Sequence, residues 1–298
     1  MDVEINDKSL MMIFLLEECN LACPHCVRED EPMDHGYKLS FQQLLRCLSD
    51  CRKLEAVTWV HFSGGEPTLW SEEGRHLVDL LLAISDAGFT PGFTTNGSAF
   101  VDHDGFEALI GRYLALSDRP LRLYLSIDTF HGNFDGETGR AVSLDNVLSC
   151  RHKLPRDKAQ LLQVSILVVV SKQVSSLLPP EMVSHYESMG ARFVFVPLAP
   201  HGRAKTMRHL CPVLDSDNPE DLGAYARFCE SERRDGSVLG GKGNRALHII
   251  LVGDEYYVSL EAETDFGGRW QRIGRLGALP DTIIRHYSVQ HHDLPEEG

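Results

Sequence analysis

Short apolar runs and amphipathic stretches alternate along the first two-thirds of the chain. Continuous hydrophobic runs fall at residues 11–16, 57–62, 92–95, 121–127, 164–170 and 193–196, the pattern of strands buried on both faces of a parallel sheet. Between them the apolar positions take a helical period. Ser40 and Gln43 form a capping box ahead of Phe41, Leu44, Leu45 and Leu48, and Leu77, Leu80, Leu81 and Ile84 make a stripe that stops at Gly88. Pro180 opens a helix carrying Met182, Val183, Tyr186 and Met189, which ends at Gly190. About six strand–helix repeats result, an α/β chain whose right-handed crossovers curl into an open sheet or an incomplete barrel; both place ligands at the C-terminal strand ends.

After Pro200 the pattern changes. Residues 215–220 and 231–243 are polar and glycine-rich, and β-like runs at 246–251 and 256–260, joined through Gly253 and Asp254, predict a hairpin in a C-terminal appendage. The tail from 291 to 298 reads as frayed. The expected division is a unit over 1–204 and a small α+β extension over 205–298.

Composition narrows the function. With 29 Lys+Arg against 43 Asp+Glu the net charge is −14, and such acidity disfavours nucleic acid as a partner. The N-terminus lacks a basic n-region and an apolar h-region, which predicts a cytoplasmic protein. The longest apolar stretches fall short of the ~20 residues of a membrane span. Eight cysteines in a reducing compartment read as ligands, reactive thiols or buried hydrophobes rather than as a disulfide framework.

Directly after the first predicted strand stand Cys19, Cys23 and Cys26 in a C-x3-C-x2-C arrangement. Three thiolates on one tight loop suit a soft metal centre, iron–sulfur or zinc, with one metal position left open. The competing reading is a zinc knuckle completed by His25 or His35. The second strand ends in Ser63-Gly64-Gly65-Glu66-Pro67; paired glycines let a ligand lie against bare backbone, and Glu66 suits a cationic amine. A Gly-Gly pair is also an ordinary turn.

The cysteine triplet followed one strand later by Gly-Gly-Glu-Pro resembles the radical S-adenosylmethionine (radical SAM) enzymes, over roughly residues 10–204. The resemblance implies a partial (β/α)6 TIM-like barrel in which Cys19, Cys23 and Cys26 hold one 4Fe-4S cluster and Gly64, Gly65 and Glu66 receive the methionine amine of SAM. His25 stands where the family has an aromatic residue beside adenine. Asn96 lies in a Thr-Asn-Gly turn like the family's, and equally in an ordinary turn. Ser126 and Asp128, two apart on one strand, face the same side, as gripping ribose hydroxyls or a carboxylate requires; a capping role is the alternative. Ser171 is a candidate for the SAM carboxylate, and Leu198 belongs to the segment that meets adenine.

The implied activity is reductive cleavage of SAM to a 5′-deoxyadenosyl radical that takes hydrogen from substrate, an oxidoreductase-type reaction fed by a flavodoxin- or ferredoxin-like donor. A peptide substrate, as in ribosomal peptide natural-product maturation, is the first expectation, although little sequence precedes the first strand to form a leader-binding domain. A small metabolite (amino acid, nucleoside or sugar) is the alternative, and a non-catalytic metal-binding scaffold the third reading.

The C-terminal hairpin resembles a SPASM/twitch extension without its cysteines. Gly241 and Ser259 stand where cluster ligands are expected, so the extension is expected to hold no auxiliary cluster. Iron analysis should then give about four irons per chain, and about eight would defeat this expectation. Cys47, Cys51 and Cys150 read as buried small hydrophobes. Cys211 and Cys229 are candidate hydrogen-atom donors in the appendage. His131 either faces substrate or caps its loop, and Arg203 either binds a substrate carboxylate or sits solvated.

Overall fold

The computed structural model describes residues 9–26, 36–53, 57–128, 130–133, 141–171, 180–198, 202–210, 248–252, 254–259 and 270–277. Its strands are β1 (Ser9–Phe14), β2 (Val57–Ser63), the short pair β3 (Ser71–Glu72) and β4 (Arg75–His76), β5 (Thr90–Thr95), β6 (Leu121–Ser126), β7 (Leu162–Val170), β8 (Arg192–Pro197), β9 (His248–Val252), β10 (Glu255–Ser259) and β11 (Trp270–Arg275). The helices are α1 (Phe41–Cys51), α2 (Leu77–Asp86), α3 (His103–Phe106), α4 (Arg112–Leu116), α5 (Val142–Lys153), α6 (Arg156–Leu161) and α7 (Pro180–Ser188). None of the described helices is long and apolar enough to cross a membrane.

Six strands run parallel in the order β1-β2-β5-β6-β7-β8. The sheet is curled: the Arg203 amide, after β8, donates to the Cys26 carbonyl, after β1, at 3.0 Å. Those strands are five places apart, about 24 Å if the sheet were flat. The expected partial (β/α)6 TIM-like barrel is therefore the architecture.

The helix signals act as their chemistry dictates. Ser40 and Gln43 close the capping box on α1, and Gly88 and Gly190, past the ends of α2 and α7, take φ of +97° and +84°, which favours glycine. The periodicity did not anticipate the α3–α4 region, where a π-helical segment, Glu107–Gly111, interrupts the stripe.

Alternation along the strands separates two cores. Met11, Ile13, Val60, Phe62, Phe93, Leu121, Leu123, Leu125, Val164, Ile166 and Val168 pack outward with the helices. Trp59, Tyr124 and Val194 pack inward with Met12, Leu167 and Val196. The inner face is also polar. His61, beside Thr94 at 2.8 Å, is held by burial and by the Arg122 charge to a pKa of about 3. An unfolded histidine titrates near about 6.5 and takes up its proton first. The stability that neutral His61 contributes is thus complete above about pH 6.5 and is lost as pH falls toward the folded value. Stability of the metal-free chain should drop by on the order of 2 kcal/mol from this group between about pH 6.5 and 5, and His61→Gln should flatten that part of a urea-melt series.

The C-terminal hairpin continues the same sheet. Strand β9 runs parallel to β1, and β10 and β11 follow antiparallel. It is pinned to α1 by buried Asp50, which accepts from the Tyr256 hydroxyl at 3.1 Å and the Gly277 amide at 2.7 Å. Asp50→Ala leaves both donors without an acceptor and should cost about 3 kcal/mol. Hydrogen exchange should then rise across residues 248–259 before it rises in β5 or β6.

Candidate functional site

The site sits at the C-terminal ends of the parallel strands. The chain leaves β1 through Leu15, whose amide donates to the Ser63 carbonyl at 2.8 Å, and is then held against the turn after β2: the Gly65 amide donates to Leu16 (2.7 Å) and the Glu66 amide to Glu18 (2.8 Å). This close approach explains both glycines. Gly64 has φ +116°, and a Cβ there would lie 2.8 Å from the Leu16 carbonyl oxygen; at Gly65 it would lie 1.9 Å from that of Glu18. The side of each glycine that a Cβ would occupy faces the chain's own cysteine loop.

That loop carries Cys19, Cys23 and Cys26, all free and partly exposed. Burial, then the neighbouring thiols of Cys19 and Cys26 and the Asp128 charge, push the Cys23 thiol up to about 11. Three thiolates so close repel unless a metal centre neutralises them, so the loop is matched to one. His35 lies outside the described residues.

Glu66 is buried and both its carboxylate oxygens accept hydrogen bonds. One oxygen accepts from the Thr68 amide (3.1 Å) and the hydroxyls of Thr68 and Thr95 (both 2.7 Å); the other accepts from the Asn96 amide (2.8 Å). It locks the β2 turn to the β5 turn. The Asn96 side chain donates to Asn20 Oδ1 at 2.8 Å and approaches Cys19 Sγ at 4.0 Å. Gly97 then turns at φ +81°.

At the end of β6, Ser126 and Asp128 are both buried, and the Asp128 carboxylate does what a cap does. Oδ1 accepts from the amides of Phe130 (2.9 Å) and His131 (3.0 Å), and Oδ2 from the Val169 amide (3.2 Å). His131 Nδ1 lies 2.8 Å from Oδ1. Burial resists the charge on Asp128, but the bonds and charge from His131 win and hold its pKa below the usual carboxylate value.

His25 packs edge-on to His131 at 4.6 Å and against Phe130 at 5.1 Å; burial, then His131, lower it to about 4, so it is neutral near pH 7. Its Nδ1 is buried with no hydrogen-bond partner. Ligand atoms of His25, Asp128 and His131 lie within 4.8 Å of one another, a spacing already used by the His131–Asp128 contact. Ser171 is fully buried after β7, and Leu198 is buried with Ala204 beside Phe130 and Val169. Arg203 enters through its backbone, as the partner of Cys26.

Two residues that the sequence did not single out tie the strand ends together. Asn133 Nδ2 donates to the carbonyls of Asn96 (2.8 Å) and Ser126 (2.6 Å), and Asn20 Nδ2 donates to Ser98 at 2.8 Å. Asn20 had a signal, lying inside the cysteine spacing; Asn133 had none. Cys47, Cys51 and Cys150 are buried. Cys211, Cys229 and Gly241 lie outside the described residues, as does the side chain of Ser259.

Residues 13–156 match the Radical SAM superfamily. A PqqA peptide cyclase of Rhodopseudomonas palustris is 33% identical over 86 residues, covering 29% of this chain and 22% of that protein. Mycofactocin maturase MftC of Mycolicibacterium smegmatis is 27% identical over 239 residues, 80% of this chain and 52% of that one. The chain thus spans from about a fifth to about half the length of these relatives. Among solved structures, Streptococcus suis SuiB bound to precursor peptide SuiA shares the fold, with a TM-score of 0.51 at 18% identity over 76% of this chain and 47% of that one.

Proposed function

Because residues 13–156 match the Radical SAM superfamily, we propose that the chain is an enzyme that cleaves SAM reductively and uses the resulting carbon radical to take hydrogen from a peptide. The observation that carries this reading is the preformed three-thiol loop, clamped across Gly64 and Gly65 at the mouth of a half-open barrel. The family uses a 4Fe-4S cluster and SAM, which when bound supply the radical chemistry. The protein's part is to hold, orient and shield.

Cys19, Cys23 and Cys26 would hold the cluster. The hydrogen-bonded chain Asn20–Asn96–Asn133 fixes the loop relative to the ends of β5 and β6. Gly64, Gly65, Glu66, Asn96, Ser126, Ser171 and Leu198 would border SAM, with His25 on its adenine side. Asp128 positions His131 at that border. Residues 1–204 form the catalytic unit, and 205–298 form an extension that selects the substrate, with Cys211 and Cys229 as candidate hydrogen donors. The peptide assignment is supported by the names of relatives that cyclise or bind peptides. A flavodoxin- or ferredoxin-like protein supplies electrons.

The test is anaerobic reconstitution with iron and sulfide, then incubation with SAM and a strong reductant. 5′-Deoxyadenosine and methionine are expected, and their absence from iron-loaded protein would overturn the radical reading. Pull-down from the source organism should retain a short peptide; capture of an amino acid, nucleoside or sugar instead would replace the peptide assignment.

A further inference from the structure

Below the cofactor edge, the inner face of the barrel carries polar atoms that the site above does not use. On β2, β5 and β6, His61, Gly92 and Arg122 stand side by side in register. Gly92 is bare for a specific reason: a Cβ there would lie 2.8 Å from Trp59 Nε1 and 2.9 Å from His61 Nδ1. Both nitrogens therefore lie over the bare Cα of Gly92, close to each other. The Arg122 side chain crosses over Gly92 from β6 and lays its guanidinium 4.3 Å from the Trp59 ring centroid. Trp59 Nε1, His61 Nδ1 and Arg122 Nε are all buried with no hydrogen-bond partner among the described residues. Trp59 and His61 are only 7% and 2% exposed, so solvent does not compensate them, and three such orphans in one place are costly.

We propose that Trp59, His61 and Arg122 around Gly92 form a subsite that binds a carboxylate group of the substrate. This rests on the reading of the barrel mouth as the reaction site. The ligand must be an acceptor, because indole N–H and guanidinium N–H only donate. His61 joins them when the Thr94 hydroxyl, 2.8 Å away, donates to Nε2 and leaves the proton on Nδ1. An anion suits the site best, since Arg122 is cationic and takes part in none of the ion pairs among the described residues. One guanidinium balances one carboxylate, whereas a phosphate dianion leaves a buried charge unmatched. The donors are held by their neighbours: Tyr124 stacks on Trp59 at 6.0 Å and meets His61 edge-on at 5.3 Å. Arg122 lies four residues before Ser126 on β6, about 13 Å below the mouth. A substrate anchored here presents to the cofactor a carbon some distance from its carboxylate.

The test uses the full chain with its oxidised cluster and 15N-labelled tryptophan. Three indole signals are expected, from Trp59, Trp70 and Trp270; Trp70 donates to the Leu39 carbonyl at 2.7 Å and serves as an internal reference. Propionate should move the Trp59 signal downfield in a saturable way and leave Trp70 in place, and neutral propionamide should bind at least about tenfold more weakly. Arg122→Gln should weaken propionate by about tenfold or more, with Arg122→Lys in between; an unchanged Trp70 signal reports that either variant is folded. No saturable Trp59 shift, an equal response to propionamide, or indifference to both Arg122 variants would each overturn the subsite. The titration needs no SAM turnover, so its failure and a failure to form 5′-deoxyadenosine are separate results.

Discussion

Gly65→Ala should strip the chain of its iron. The new methyl carbon would fall 1.9 Å from the Glu18 carbonyl oxygen and 2.7 Å from that of Glu17. These are backbone atoms, so no side-chain rotation relieves the clash. The segment leading to Cys19 must move outward and give up the Gly65–Leu16 and Glu66–Glu18 hydrogen bonds. Overpacking of this kind costs about 1–3 kcal/mol, and two lost backbone bonds add about 1 kcal/mol each. Bound iron after reconstitution should fall at least about tenfold, read by iron assay beside a thermal melt. Gly74→Ala is the control: its Cβ meets nothing within 4 Å and pays only for φ +78°, about 1 kcal/mol, so iron should be retained. Full iron loading of Gly65→Ala would mean that the cysteine loop does not need this clamp.

Replacing Cys19, Cys23 or Cys26 with alanine should abolish the brown iron–sulfur absorbance and SAM cleavage together, while the metal-free chain keeps its stability to within about 1 kcal/mol. The reason is placement: these thiols are partly exposed on a loop and contribute little to a core. Cys47→Ala should behave in the opposite way. Cys47 is fully buried on α1, 3.9 Å from Cys51, so its loss should cost about 1–2 kcal/mol by cavity formation with iron content unchanged. Parallel iron assays and urea melts on the two kinds of variant separate ligand from core. A triplet variant that still cleaves SAM would remove the cluster assignment.

The residues legible in the sequence were those whose chemistry depends on neighbours in the chain. The cysteine spacing, the Ser40–Gln43 cap, the glycine stops at Gly88 and Gly190, and the apolar strand runs all act within a few residues, and each is found where it was expected. Glu66 and Asp128 were recognised as important but their partners were not. A carboxylate's role depends on which donors surround it, and those of Glu66 include Thr95 and Asn96 from the next strand. The Trp59–His61–Arg122 group was invisible, since its members lie on separate strands and meet only across the side-chain-free surface of Gly92.

The sequence by itself determined the alternating strands and helices, the three-thiol loop and its place after the first strand. These follow from local periodicity and from spacing short enough for one turn to close. Only the tertiary structure decided that the paired glycines serve the cysteine loop, that the hairpin joins β1, and that inner-face donors from β2 and β6 converge below the mouth. Those outcomes depend on sheet curl and register, which bring together residues far apart in the chain, and no pattern along a single segment specifies them.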